Sequence, residues 1–206
     1  MLKELALDHY TALKTTGRLT ENEEEEPSVM LWLLLLLAQL EDYEHHTKEA
    51  LEYLDEAYKS TPTCYDLHVL RAKVLKHAGA LKQSEEALAV GSSLDRGDRY
   101  MNTKHTKYLL RCNEIEKADE EVSYWTKKDT PSRIDLANMQ ACWYEIECGD
   151  SYWRRGDIVH ANKLYNEVIS HFNQYVLDQF DFHPYVLRKS NIIPYLNVHF
   201  RRFIDS

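Results

Sequence analysis

Apolar positions along the chain fall on helical spacing, and no run of alternating apolar residues that would mark a strand stands out. Leu2, Leu5, Leu7, Tyr10 and Leu13 predict a first helix within 1–16. The run Glu21-Asn22-Glu23-Glu24-Glu25-Glu26-Pro27 then interrupts the pattern. Like-charge repulsion and the restriction that proline imposes on its predecessor make it a loop. Beyond it the pattern predicts helices over 28–43 and 46–60, 64–78 and 81–95, and 98–112 and 114–128. A longer pair follows at 133–155 and 158–173, then a helix near 184–200 that Pro194 kinks.

These helices repeat. Ala38, Ala72 and Thr106 lie 34 residues apart in succession, as do Ala50, Ser84 and Ala118, and Leu54, Leu88 and Val122. A turn column reads His45, Gly79 and Asn113. A fourth unit, with Gly149, Tyr152, Gly156, Ala161 and Tyr165 in matching columns, returns after a nine-residue insertion that contains Lys127-Lys128-Asp129-Thr130-Pro131-Ser132. A period of 34, with small residues where two helices cross and large ones beside them, is the tetratricopeptide pattern. Glu41, in a column where a large residue is usual, and Thr106, in a small-residue column, depart from it. The predicted fold class is all-α, a tetratricopeptide-type right-handed superhelical solenoid of antiparallel helix pairs. The predicted organisation is a helix plus acidic linker over 1–27, about four repeats over 28–173 with an insertion near 127–135, and an aromatic-rich loop and C-terminal helix over 174–206. Repeat arrays need polar caps, and neither end reads as one, which predicts a segment of a longer solenoid.

Composition narrows the function. With 34 acidic and 25 basic residues the net charge is −9, so the chain is a poor general binder of nucleic acid, and no direct DNA binding is expected. The apolar run Val29–Ala38 is about half of what spans a bilayer, and Glu4 and Asp8 argue against a signal or transit peptide. A soluble, cytoplasmic protein is expected. Cys64, Cys112, Cys142 and Cys148 match neither a zinc site nor a disulfide framework and read as free thiols. Cys142 and Cys148 read as small core residues. With six glycines and no phosphate-binding loop, nucleophile elbow or H-E-x-x-H motif, catalysis is not expected. His45 and His46 read as solvent-exposed, and His160 and His171, eleven apart, are too distant to share an ion. Asp178-Gln179-Phe180-Asp181-Phe182-His183 reads as an aromatic-anchored loop, and no metal site is expected.

The candidate site is basic. Arg96, Arg99, Lys104, Lys107 and Arg111 cluster with only Asp98 opposing them. In the repeat register Lys73 and Lys107 are equivalent positions on consecutive first helices, as are His77 and Arg111, with Lys76 beside His77. Clustered like charge costs stability unless an anion sits among it, so a polyanion or an acidic peptide is expected there. A solvated basic face accounts equally well for each residue taken alone.

Specific peptides carry a family likeness. Glu26-Pro27, Leu31-Trp32, Leu37-Ala38-Gln39, Ala50-Leu51-Glu52-Tyr53 and Ser60-Thr61-Pro62-Thr63 resemble landmarks of the auxiliary subunit of N-terminal acetyltransferase A. So do Arg71–Gly79, Leu94–Lys104, Met139-Gln140-Ala141-Cys142-Trp143 and Asp178–His183. The resemblance implies a non-catalytic scaffold wrapped around a separate catalytic acetyltransferase subunit that modifies nascent chains at the ribosome. It also implies inositol hexakisphosphate as a structural ligand, with Lys73, Lys76, Arg99, Lys104 and Lys107 as its residues and His77 and Arg111 as second choices. The alternative is a co-chaperone-like adaptor that clamps peptides in a basic concave groove.

Overall fold

The computed structural model describes residues 2–19, 24–178, 182–188, 192, 193 and 196. Among them every regular element is an α-helix. The helices are α1 (Leu2–Thr16), α2 (Pro27–Tyr43), α3 (Thr47–Ser60), α4 (Tyr65–His77), α5 (Leu81–Leu94), α6 (Arg99–Arg111), α7 (Ile115–Ser123), α8 (Ser132–Asn138), α9 (Cys142–Arg154), α10 (Ile158–Asp178) and α11 (Phe182–Arg188). None of the described helices is long and apolar enough to cross a membrane. The chain divides into two compact units, Met1–Met101 and Asn102–Ser206.

Local chemistry sets the helix ends. Pro27 opens α2 at a position where its missing N–H costs nothing. Asp98, the lone acid in the basic cluster, caps α6 by accepting from the N–H of Tyr100 at 2.7 Å. The turn column closes the helix pairs. His45, Gly79, Asn113 and Gly156 have φ of 64°, 79°, 63° and 81°. Each follows a helix whose last carbonyls accept two backbone bonds, as Gly79 N–H gives to Lys76 O at 3.0 Å and Ala80 N–H to Leu75 O at 2.9 Å. This left-handed turn is what lets the chain reverse within three residues.

Packing follows the columns. Ala38, Ala50, Ala72, Ser84, Thr106, Ala118 and Ala161 are all fully buried. The Ser84 hydroxyl donates to the Ala72 carbonyl, so two small columns meet face to face. At Gly149 a Cβ would lie 2.7 Å from the Tyr165 ring, which is the close approach the pattern requires. Leu34, Leu54, Leu67 and Val74 belong to the core of the first unit, and Leu110, Ile115, Val122 and Tyr144 to that of the second. Glu41 is buried and tethers α1: Lys3 Nζ lies 2.8 Å from its carboxylate and His46 Nδ1 2.9 Å away.

Two expectations need correcting. The helix expected over 114–128 ends at Ser123, and the one expected over 133–155 is two helices, α8 and α9. The Asp135 carboxylate, 3% exposed, accepts from the backbone N–H of Lys127 at 3.1 Å and folds the insertion back on itself. Gln140 then ends α8 with φ 56°, in the same double-bonded turn as the repeats. The last described helix starts at Phe182, close to the expected 184. Residues 179–181, Pro194 and 197–206 lie outside the described residues, as do 20–23 of the acidic linker, so the expected 178–183 loop and the Pro194 kink cannot be placed.

A polar lock holds the inserted α8. Arg133 donates from Nε to Asp119 at 2.8 Å, from Nη2 to the same oxygen, and from Nη1 to the Tyr152 hydroxyl. The Tyr144 hydroxyl also donates to Asp119, so α7, α8 and α9 share one network. Burial and the Asp119 charge push the Tyr144 phenol well above its usual range. The buried Cys148 thiol beside it is pushed up to about 11, chiefly by desolvation, which makes it inert.

Candidate functional site

Lys73, Lys76 and His77 stand on α4 in the first unit, and Lys104, Lys107 and Arg111 on α6 in the second. Arg99 is exposed in the first turn of α6, while Lys76 and Lys104 are partly buried. In each unit, two basic residues one helical turn apart converge on a single carboxylate from another first helix.

In the first unit that carboxylate is Asp42 of α2. His77 Nδ1 lies 2.8 and 3.0 Å from its two oxygens, and Lys73 Nζ lies 3.9 Å away. In the second it is Glu147 of α9. Arg111 donates to it through Nε at 3.1 Å and Nη2 at 2.9 Å, and Lys107 Nζ lies at 3.1 Å. Burial alone would lower the pKa of Arg111, but the Glu147 hydrogen bonds outweigh it and hold the guanidinium charged. The carboxylates are sunk, with side chains 6% and 13% exposed, while Lys73 and Lys107 reach 52% and 32%. Arg111 uses two of its five N–H groups on Glu147. Lys107 and Arg111 thus share one carboxylate, and the Asp150 charge also acts on Arg111.

This geometry answers the question of what offsets the clustered positive charge: in both units the protein supplies an anion of its own. The sequence reading missed Asp42 and Glu147. A carboxylate about one repeat away from a basic pair, 35 residues from His77 and 36 from Arg111, was the available signal.

The remaining candidates resolve as packing or local pairs. Cys142 and Cys148 are buried, as expected of small core residues. His171 is buried with its Nε2 2.8 Å from Glu145, and His160 stacks on Tyr152 with ring centroids 5.1 Å apart. His45 and His46 are exposed. Glu41, Glu44 and His46 present ligand atoms within 4.8 Å of one another, a spacing open to a metal ion. The Lys3 ammonium, 2.8 and 2.6 Å from the two carboxylates, supplies the cation there.

Comparison with known proteins agrees with the architecture. The family model described as N-terminal acetyltransferase A, auxiliary subunit, matches residues 1–204. The human N-alpha-acetyltransferase 16, NatA auxiliary subunit, is 37% identical over 201 residues, which is 96% of this chain and 23% of the human protein. The Arabidopsis thaliana N-terminal acetyltransferase A complex auxiliary subunit NAA15 is 34% identical over 199 residues, 96% of this chain and 22% of its own length. Among solved structures, a chain of the complex titled Naa15/Naa10 bound to HypK-THB superposes with a TM-score of 0.76 at 34% identity, covering 96% of this chain and 29% of that one. The chain thus spans about a quarter of the length of these relatives.

Proposed function

We infer the function from one premise: the chain belongs to the family of N-terminal acetyltransferase A auxiliary subunits. We propose that it is a non-catalytic scaffold segment that holds a separate catalytic subunit for co-translational N-terminal acetylation in the cytoplasm, with ribosome attachment through a full-length complex. The observation that carries this reading is the likeness, across 96% of the chain, to a protein solved together with Naa10. Family membership favours this scaffold over a co-chaperone-like adaptor. The test is co-purification of the full chain with Naa10. A folded chain that fails to retain it overturns the reading, and so does acetyl transfer by the chain alone.

A second proposal concerns a ligand. We propose that a polyanion such as inositol hexakisphosphate binds the second unit at Lys104, Lys107 and Arg111, with Lys73, Lys76, His77 and Arg99 of the first unit as separate candidates. Two cations sharing the Glu147 carboxylate, with three N–H groups of Arg111 not engaged by it, support it. Calorimetry with inositol hexakisphosphate should give a binding heat that Lys107→Glu abolishes; no heat from the wild-type chain rejects the proposal.

A further inference from the structure

A groove runs between α2 and α4 in the first unit. Its walls are Trp32, Leu35, Leu36 and Gln39 on one helix and Asp66, Val69, Leu70 and Lys73 on the other, around a concavity of 390 Å³. Each set has the spacing i, i+3, i+4, i+7, one face of a helix over two turns. The two sets are also the same four repeat positions: 32 and 66, 35 and 69, 36 and 70, and 39 and 73 are each 34 apart. The groove is therefore a product of the repeat itself.

Its chemistry is graded. Leu35 and Leu70, 4% and 6% exposed, form the floor. Trp32 stands at the rim with 54% of its surface in water although it sits among leucines. A large indole exposed beside an apolar concavity is the residue type that dominates binding energy at protein interfaces. At one end Asp66 has no ion-pair partner among the described residues. At the other, two turns or about 10 Å along the axis, stands Lys73, whose one ion pair among the described residues is with Asp42 at 3.9 Å. A carboxylate in the first turn of α4 suits the helix dipole, but that role does not account for the exposed indole.

We propose that this groove receives an amphipathic helix of the catalytic partner. The occupant is two turns long, with an apolar stripe that packs on Trp32, Leu36 and Val69. A basic residue on it faces Asp66 and an acidic residue faces Lys73, and that order of charges fixes its direction. The inference rests on the scaffold reading and adds to it the place and chemistry of contact.

The test is retention of Naa10 by the full chain and three variants, with circular dichroism melts to establish that each is folded. Trp32→Ala removes a half-exposed side chain and should weaken retention by about thirtyfold. The double variant Asp66→Lys with Lys73→Glu should weaken it comparably by reversing the rim. Trp153→Ala, which truncates an equally exposed tryptophan of the second unit, 55% exposed, should leave it unchanged. A photo-crosslinking residue at position 36 should capture a Naa10 segment with apolar residues at i, i+4 and i+7 flanked by opposite charges. If the wild-type chain does not hold Naa10, the scaffold reading fails and this inference with it. If the wild type holds Naa10 and Trp32→Ala holds it equally, or the captured segment lacks that pattern, the groove assignment alone is overturned.

Discussion

Replacing His45 with glycine should make the protein more stable, although it removes a large side chain for none. His45 sits at φ 64° between α2 and α3, a conformation that costs an L-residue about 1 kcal/mol. Its side chain is exposed and makes no hydrogen bond or ion pair among the described residues, so little is lost with it. Glycine adopts this conformation freely, and its greater freedom in the unfolded chain takes back part of the gain. The expected net is about 0.5–1 kcal/mol of added stability, a rise of about 1–4 °C in Tm for a chain of this size. The converse change isolates the backbone term. At Gly79, φ 79°, a new Cβ meets nothing within 4 Å, so Gly79→Ala should cost about 1 kcal/mol without any clash. Gly149→Ala should also destabilise, but through its 2.7 Å approach to the Tyr165 ring. Urea unfolding followed by circular dichroism reads all three as midpoint shifts at constant slope. A destabilised His45→Gly, or a neutral Gly79→Ala, would refute the left-handed turn as the element that closes each pair.

Three further outcomes are expected. Thr106 is fully buried and its hydroxyl finds no partner among the described residues, so Thr106→Val should raise stability by about 1 kcal/mol in the same urea assay. A double-mutant cycle of Arg133→Met and Asp119→Asn should report a coupling of about 1–2 kcal/mol, discounted because the side chains are 37% and 29% exposed; a coupling near zero would show that α8 is held by packing alone. Burial would raise the Glu41 carboxyl, but the hydrogen bonds from Lys3 and His46 outweigh it and hold it below its usual 4.5. A depressed carboxyl stabilises the fold above its unfolded value and loses that contribution as pH falls below about 4.5. Limited proteolysis should accordingly release α1 on acidification, and Lys3→Ala should reduce the pH dependence, leaving the part set by Glu56, which Tyr10 and Lys14 of α1 also hold below its usual value.

The repeat was legible because it is written in local terms. Small residues at 38, 72, 50, 84, 118 and 161 have one physical reason to recur, helix crossing, and all are buried. The turn column was visible even where it holds histidine or asparagine, since both neighbouring columns fixed the register. The break between α8 and α9 was not legible. Gln140 is an ordinary helix former, yet it takes φ 56° in the turn that two backbone bonds close after α8. The partners of the basic columns were not legible, because whether a lysine faces solvent or a buried Asp42 depends on a helix 31 residues away. The exposed Trp32 was likewise hidden, since a tryptophan among leucines reads as core.

The double-bonded turn has a kinetic consequence. Its hydrogen bonds join residues no more than five apart, so a hairpin can close on local chain alone, and proteins dominated by such contacts fold fast. During synthesis α2 and α3 can pair while α4 is still unmade. At that moment the floor leucine of α2, Leu35, has no α4 against it, and the growing chain carries a sticky edge whose lifetime is the time needed to make about one more repeat.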